Sequence, residues 1–414
     1  MTAEHSFIVL FSIASAVAIA VSRTRVPYTV ALVVVGLGVG ALHIIEPPRL
    51  TKELLFSLFL PGLIFEAAYN IHAAELRRSW RAVATLAGPG VIVSIVVAGF
   101  ASSWALRVTG LSPEFAWRDG LVFAALVSAT DPVAVVGLFR KLGLDVRLTT
   151  LVEAESLFND GTSIVALTLI LAFVGGEASS VAGLAARFVL VVCGGAAIGT
   201  AMAYVIVRVT RHIDDPMIEI TLTTIAAYGS FALAEDLHAS GVIATVAAGL
   251  MLGTTARESA FTPQTRVAAD AFWQYVAFAL NSVVFLLIGF EVQPATLLRT
   301  AGVVAVGFVV VMLARVIVVY GTTGLLRRTS ERLSPAWSAL IAWGGLRGAL
   351  AMVLALALPA GFRQRALLID MTFGVVVASL LVQGLTIPFL ATRLVGPPDQ
   401  VAFATPAGEE RGDG

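Results

Sequence analysis

Leu121-Val122-Phe123-Ala124-Ala125-Leu126-Val127-Ser128-Ala129-Thr130-Asp131-Pro132-Val133-Ala134-Val135-Val136 is apolar along its length except where Ser128-Ala129-Thr130-Asp131-Pro132 interrupts it. A second such stretch, Glu155-Ser156-Leu157-Phe158-Asn159-Asp160-Gly161, follows within the next long apolar run. A charge near the centre of a bilayer is costly, so carboxylates in such runs face the bundle interior and mark an ion pathway or a proton relay. These two stretches therefore predict an all-α polytopic membrane protein with a polar site inside it.

Composition agrees. The 414 residues are 58% hydrophobic and only 13% charged, with a mean hydropathy of +0.92, outside the soluble globular range. A spanning helix needs roughly 20 apolar residues, and a scan on that length gives about 13 candidate spans. They start near Phe7, Pro27, Glu53, Ala82, Asp119, Thr149, Val181, Pro216, Ala239, Ala268, Leu298, Pro335 and Ala366, the ninth being short. Met1 to His5 carries no basic region of a secretory signal, so Phe7–Val21 reads as a retained first span. Cys193 is the single cysteine, which excludes disulfides and cysteine-based clusters within one chain. No basic arm suggests nucleic acid.

Arginine and lysine are unevenly shared between alternate loops. One set holds Arg23, Arg25, Arg77, Arg78, Arg81, Arg140, Lys141 and Arg147 among others, about twice as many as the set with Arg49, Lys52, Arg107 and Arg118. The positive-inside rule then puts the amino terminus outside and the carboxy terminus in the cytoplasm, in the cell membrane.

Two spans share an interruption. Pro132 removes a helical hydrogen bond and disfavours helical geometry at the residue before it, so the fifth span should break at Ser128–Pro132. Gly344-Gly345-Leu346-Arg347-Gly348 should loosen the twelfth at a similar depth. Interrupted helices in matching positions point to a binding site between inverted repeats. The expected organisation is one transmembrane domain over 1–394, with six-helix repeats near 1–175 and 214–394 joined by a connector near 181–207. Residues 395–414, rich in Pro, Gly and charge, read as a disordered tail.

Asp160 is the principal candidate for the ion carboxylate. At about 100° per residue Ser156 lies on its face, Asn159 turns toward a neighbouring helix, and Glu155 points about 140° away. Glu155 needs a partner, and Arg315 on the eleventh span is the cation at compatible depth. Hard monovalent cations want oxygen ligands, which Asp160, the Ser156 hydroxyl and carbonyls near Thr130 would supply, with Glu66 on the third span as an extra ligand or a proton site. Asp131 is expected to cap the broken helix halves, and Glu153 to be a solvated charge at the mouth. Arg347 either balances the helix ends of the twelfth span or restrains Asp160. Asn281 reads as an interhelical hydrogen-bonding residue. A proton and a cation would compete for the same oxygens, and because either neutralises the site for its crossing, exchange needs no other motor.

Ala129-Thr130-Asp131-Pro132, Glu155 through Gly161, Phe65-Glu66 and Trp343-Gly344-Gly345-Leu346-Arg347-Gly348-Ala349 resemble the cation/proton antiporter 1 family, the NhaP-type and eukaryotic Na⁺/H⁺ exchangers. The resemblance spans nearly the whole chain in the expected order. It implies an NhaA-like antiporter fold of 13 helices and a homodimer with an ion-binding core and a dimerisation domain. It implies ion contacts from Asp160, Ser156, the Thr130 backbone and Glu66, with Glu155–Arg315 as a buried pair. The Asn159-Asp160 pair implies electroneutral Na⁺ or Li⁺ exchange for H⁺, without a cofactor; K⁺ is the alternative cation.

Other classes fit less well. The sequence has no phosphate-binding loop, zinc-hydrolase motif or haem motif, and Lys52 and Lys141 both sit at membrane edges, where no retinal could reach them. A cation channel would use the same carboxylates without obligatory exchange, and a symporter could share the inverted-repeat architecture.

Overall fold

The computed structural model describes residues 3–22, 24, 26–42, 52–176 and 180–395, and is helical throughout with no strand among them. Arg23, Arg25, Arg49 and the tail from residue 396 lie outside the described residues.

In chain order the main helices are α1 (Ala3–Val21), α2 (Tyr28–Ala41), α3 (Leu60–Asn70), α4 (Trp80–Val108), α5 (Trp117–Leu126), α6 (Val133–Lys141) and α7 (Val146–Val174). They continue with α8 (Val181–Thr210), α9 (Pro216–Asp236), α10 (Gly241–Met251), α11 (Pro263–Glu291), α12 (Ala301–Leu326), α13 (Pro335–Trp343), α14 (Ala349–Leu356) and α15 (Arg365–Val395). Among the described residues, seven helices are long and apolar enough to cross a membrane. A lipid-facing backbone must satisfy every N–H and C=O without water, which these helices do within their own segments.

Helix starts follow local chemistry. Asp145, Asp215, Ser240, Thr262 and Ser334 each accept a hydrogen bond from a backbone N–H two or three residues on, and Pro216, Pro263 and Pro335 occupy first-turn positions. That is why α11 begins at Pro263, five residues before the hydropathy run suggests. A hydropathy scan registers where a segment becomes apolar, whereas the helix starts where its first amides find an acceptor.

The helices pack as two groups. α4, α5, α7 and α12–α15 contact one another, and α1–α3 contact α8–α11. Within the second group Phe65, Trp273, Ala227 and Leu252 form a small core of their own, with the Phe65 and Trp273 rings 4.5 Å apart. Between the groups lies a cavity of about 340 Å³. α7 borders both groups, through α5 and α6 on one side and α8 and α10 on the other.

Four π-helical turns sit within or against long helices, at Leu55–Phe59, Leu86–Gly90, Leu252–Ala256 and Ser379–Gln383. A π turn displaces a carbonyl from its usual partner, and these turns recur at functional sites. The Ala87 carbonyl in the second turn is taken up by the Thr162 hydroxyl of α7 at 2.7 Å. The last turn, in α15, delivers two side chains to the break between α13 and α14, described next.

Candidate functional site

Residues 127–132 separate α5 from α6, and 344–348 separate α13 from α14, so both predicted interruptions are present. The two broken helices touch at their gaps: the Asp131 N–H donates to the Leu346 carbonyl at 2.8 Å. Gly348 permits that approach, since a Cβ there would stand 2.5 Å from the Asp131 carboxylate.

Broken helices expose carbonyls at one end and amides at the other, and these carry opposite partial charge. Arg347, only 3% exposed, donates from Nη1 to the Ser128 carbonyl at 2.7 Å and to that of Ala129 at 3.3 Å. Asp131 Oδ1 accepts from the Val133 N–H at 2.9 Å, at the start of α6, and the same carboxylate lies against Gly348, immediately before α14. A cation thus meets carbonyl ends and an anion meets amide ends. α15 completes the satisfaction: Gln383 Nε2 donates to the Trp343 carbonyl at 2.7 Å, and the Ser379 hydroxyl accepts from the Arg347 N–H at 3.0 Å.

α7 supplies the other half of the site. Asn159 Nδ2 donates to the Thr130 hydroxyl at 3.0 Å and to the Ser128 carbonyl at 3.1 Å, while its Oδ1 accepts from Ser163 at 2.8 Å. Ser156 and Thr130 share a hydroxyl hydrogen bond of 2.8 Å. Asn159 and Ser156 therefore pin the unwound segment of the fifth span to α7. Asp160 is different. It lines the cavity, and its Oδ1 has no hydrogen-bond partner although it is shut off from solvent.

Glu155 lies on another side of the same helix and is 1% exposed. Arg315 of α12 reaches it with two parallel bonds, Nη1 to Oε1 at 2.7 Å and Nη2 to Oε2 at 2.8 Å, and Nη2 also meets the Ile341 carbonyl at 3.3 Å. Forked geometry of this kind is the strong form of an ion pair. Gly345 makes room for the guanidinium, since a Cβ there would sit 2.8 Å from Arg315 Nε.

Asp160, Thr130, Asp131 and Glu66 all line the one cavity, with Glu66 Oε1 held by Asn70 Nδ2 at 2.8 Å. Ser156 is buried behind Thr130 and reaches the cavity through it, although helical spacing alone puts it on the Asp160 face. Two readings of secondary residues change. Glu153 is not solvated: its side chain is 9% exposed and paired with Arg140. Asn281, read as an interhelical bonding residue, lines the cavity instead. Sequence reasoning missed Ser379 and Gln383, though two polar residues four apart in an apolar helix are a usable signal. It also missed Arg140, which looks like an ordinary loop charge.

Discontinuous helices crossing beside a carboxylate oxygen without a partner, in a bundle this apolar, define a polytopic membrane transporter. A family model described as "Sodium/hydrogen exchanger, transmembrane" matches residues 8–393, and the chain belongs to that family, whose members are transporters and not enzymes. It is 37% identical over 373 residues to the Na⁺/H⁺ antiporter ApNhaP of Aphanothece halophytica, covering 89% of this chain and 70% of that protein. It is 34% identical to the Na⁺/H⁺ antiporter NhaH of Halobacillus dabanensis, covering 94% and 96%. In fold it matches the sodium proton antiporter MjNhaP1 of Methanocaldococcus jannaschii with a TM-score of 0.77, at 21% identity, over 96% of this chain and 99% of that one.

Proposed function

We propose that this protein exchanges a monovalent cation, Na⁺ or Li⁺, for a proton across the cell membrane, with both substrates competing for Asp160. The observation that carries the reading is the unpartnered Asp160 oxygen on the wall of the cavity where the two broken helices meet. With neither water nor a donor at Oδ1, the ionised carboxylate is costly, so the lowest-energy states are the protonated and the cation-bound ones. Thr130 and Glu66, on the same cavity, are the further oxygen ligands, with Ser156 acting through Thr130. Asn159 positions the unwound backbone, and Asp131 and Arg347 hold the helix ends open by neutralising their dipoles. Glu155–Arg315 is a structural pair. The names of the relatives support Na⁺ and H⁺ as substrates.

The accompanying organisation is 13 spans in two inverted repeats, near 1–175 and 214–394, with the amino terminus outside and the carboxy terminus cytoplasmic. Matched interruptions that contact each other support the repeats. A homodimer through the α8 side is supported by burial: only 22% of the most apolar window of that helix is covered within one chain.

The test is flux in proteoliposomes. An imposed Na⁺ or Li⁺ gradient should move protons the opposite way, and should still do so after valinomycin and K⁺ clamp the potential. A current without proton movement would replace this reading with a channel. Running the series with K⁺ and Rb⁺ ranks the cations.

A further inference from the structure

We propose a second, outer cation site at Glu153, which Arg140 occupies as a tethered substitute for the transported ion. This rests on the cation-exchange reading above and adds a site to it. The geometry points to it directly. One nitrogen, Arg140 Nη2, stands 3.0 Å from Glu153 Oε1 and 3.1 Å from Oε2. That is not the forked arrangement of Glu155 and Arg315, where each oxygen has its own nitrogen. It is a single guanidinium nitrogen straddling both oxygens, the place a cation takes on a bidentate carboxylate.

Exposure is lopsided as well. The Glu153 side chain is 9% exposed and that of Arg140 is 52% exposed. Half of the Arg140 side chain lies outside the cavity wall, so the guanidinium can swing away once a cation takes over its charge compensation at Glu153, whereas leaving that carboxylate bare would be costly. The carboxylate stays behind in the cavity wall. Neighbouring Lys141 does not compete for it, since its Nζ donates to the Thr24 carbonyl at 2.8 Å.

The cavity gives the site its purpose. Its described lining includes four carboxylates, Glu66, Asp131, Glu153 and Asp160, and Arg140 is the one cationic side chain among them. With Arg140 engaged the cavity carries one less uncompensated negative charge, and an arriving cation must displace the guanidinium before it meets Glu153 and then Asp160. Arg140 therefore sets the apparent affinity for the ion from the cavity side. It also limits how long an ion lingers at the mouth after release.

The experiment is cation affinity in three full-length variants, Arg140→Gln, Glu153→Gln and the double substitution. It is read as the midpoint of the Na⁺- or Li⁺-induced rise in melting temperature, at fixed alkaline pH and low ionic strength, and as KM in proteoliposomes. Arg140→Gln should lower both midpoints about fivefold, equivalent to about 1 kcal/mol. Glu153→Gln should raise them by a similar factor, because it leaves the guanidinium uncompensated, and the double variant should return close to the parent. Added choline chloride should shrink these differences by screening. A purely structural clamp would instead lower melting temperature in the absence of cation and leave the midpoints unmoved, which would overturn the proposal. So would an Arg140→Gln midpoint that rises. The melting assay needs no exchange, so a parent protein that binds cation but moves no protons would refute the antiport reading alone. A parent protein with no cation-dependent shift would refute both.

Discussion

Glu155 and Asp160 are acidic residues five positions apart on one helix, and they have opposite fates. Glu155 points toward α12, whose Arg315 reaches across and satisfies both of its oxygens. Asp160 points into the gap between the two helix groups, where nothing satisfies its Oδ1. Position in sequence and in depth barely separates them; rotation around the helix does, at about 100° per residue. One carboxylate is used up by the fold, the other keeps an unpartnered oxygen on the cavity wall. The same bundle can pair a charge or leave it facing a cavity, and the deciding variable is whether a guanidinium shares its side of the helix.

That contrast can be broken experimentally, beginning with the largest effect. Asp160→Asn should reduce cation-driven proton flux to that of protein-free vesicles while leaving the melting temperature of the purified protein within a degree or so of the parent. Flux near the parental rate would place the ion elsewhere. Arg315→Ala should do the reverse, stranding a buried Glu155 and lowering stability by about 3–5 kcal/mol, with a smaller change in cation KM. Denaturant or thermal unfolding in detergent measures the first quantity and flux the second. A variant as stable as the parent with KM raised tenfold would move the pair from structure to ligand binding.

Smaller perturbations sharpen the comparison. Gly345→Ala places a methyl against Arg315 Nε, and overpacking of that kind should cost about 2–3 kcal/mol without touching Asp160. Unfolding measurements check it, and the effect should vanish in an Arg315→Ala background. Gln383→Leu removes the donor to the Trp343 carbonyl and should cost about 1–2 kcal/mol, since a buried acceptor is left unmet. Loss of flux without loss of stability in that variant would give α15 a role in transport itself.

Much of this was legible beforehand. Pro132 and the Gly344-Gly345 pair marked both breaks, because the covalent chemistry of those residues acts wherever they sit. Helical rotation separated Glu155 from Asp160, and depth in the membrane pointed to Arg315 as the available cation. Other placements were out of reach. Ser156 shares a face with Asp160 by rotation, yet the strand of unwound backbone at Thr130 stands between it and the cavity. Arg140 looked like a loop charge and Glu153 like a solvated one, yet each has the other as its partner across 13 residues. Gln383 serves a carbonyl 40 residues earlier in the chain.

The sequence by itself determined that the chain is a bundle of membrane helices, where two of them break, and which acidic residues are too costly to be accidental. These follow from hydropathy, proline and glycine geometry and the cost of burying charge, all of which are local. Only the tertiary structure decided which carboxylate keeps a partner, which hydroxyl reaches the cavity and which arginine lines it. Those outcomes depend on what the neighbouring helices present within about 3 Å, the range over which a hydrogen bond is made or lost.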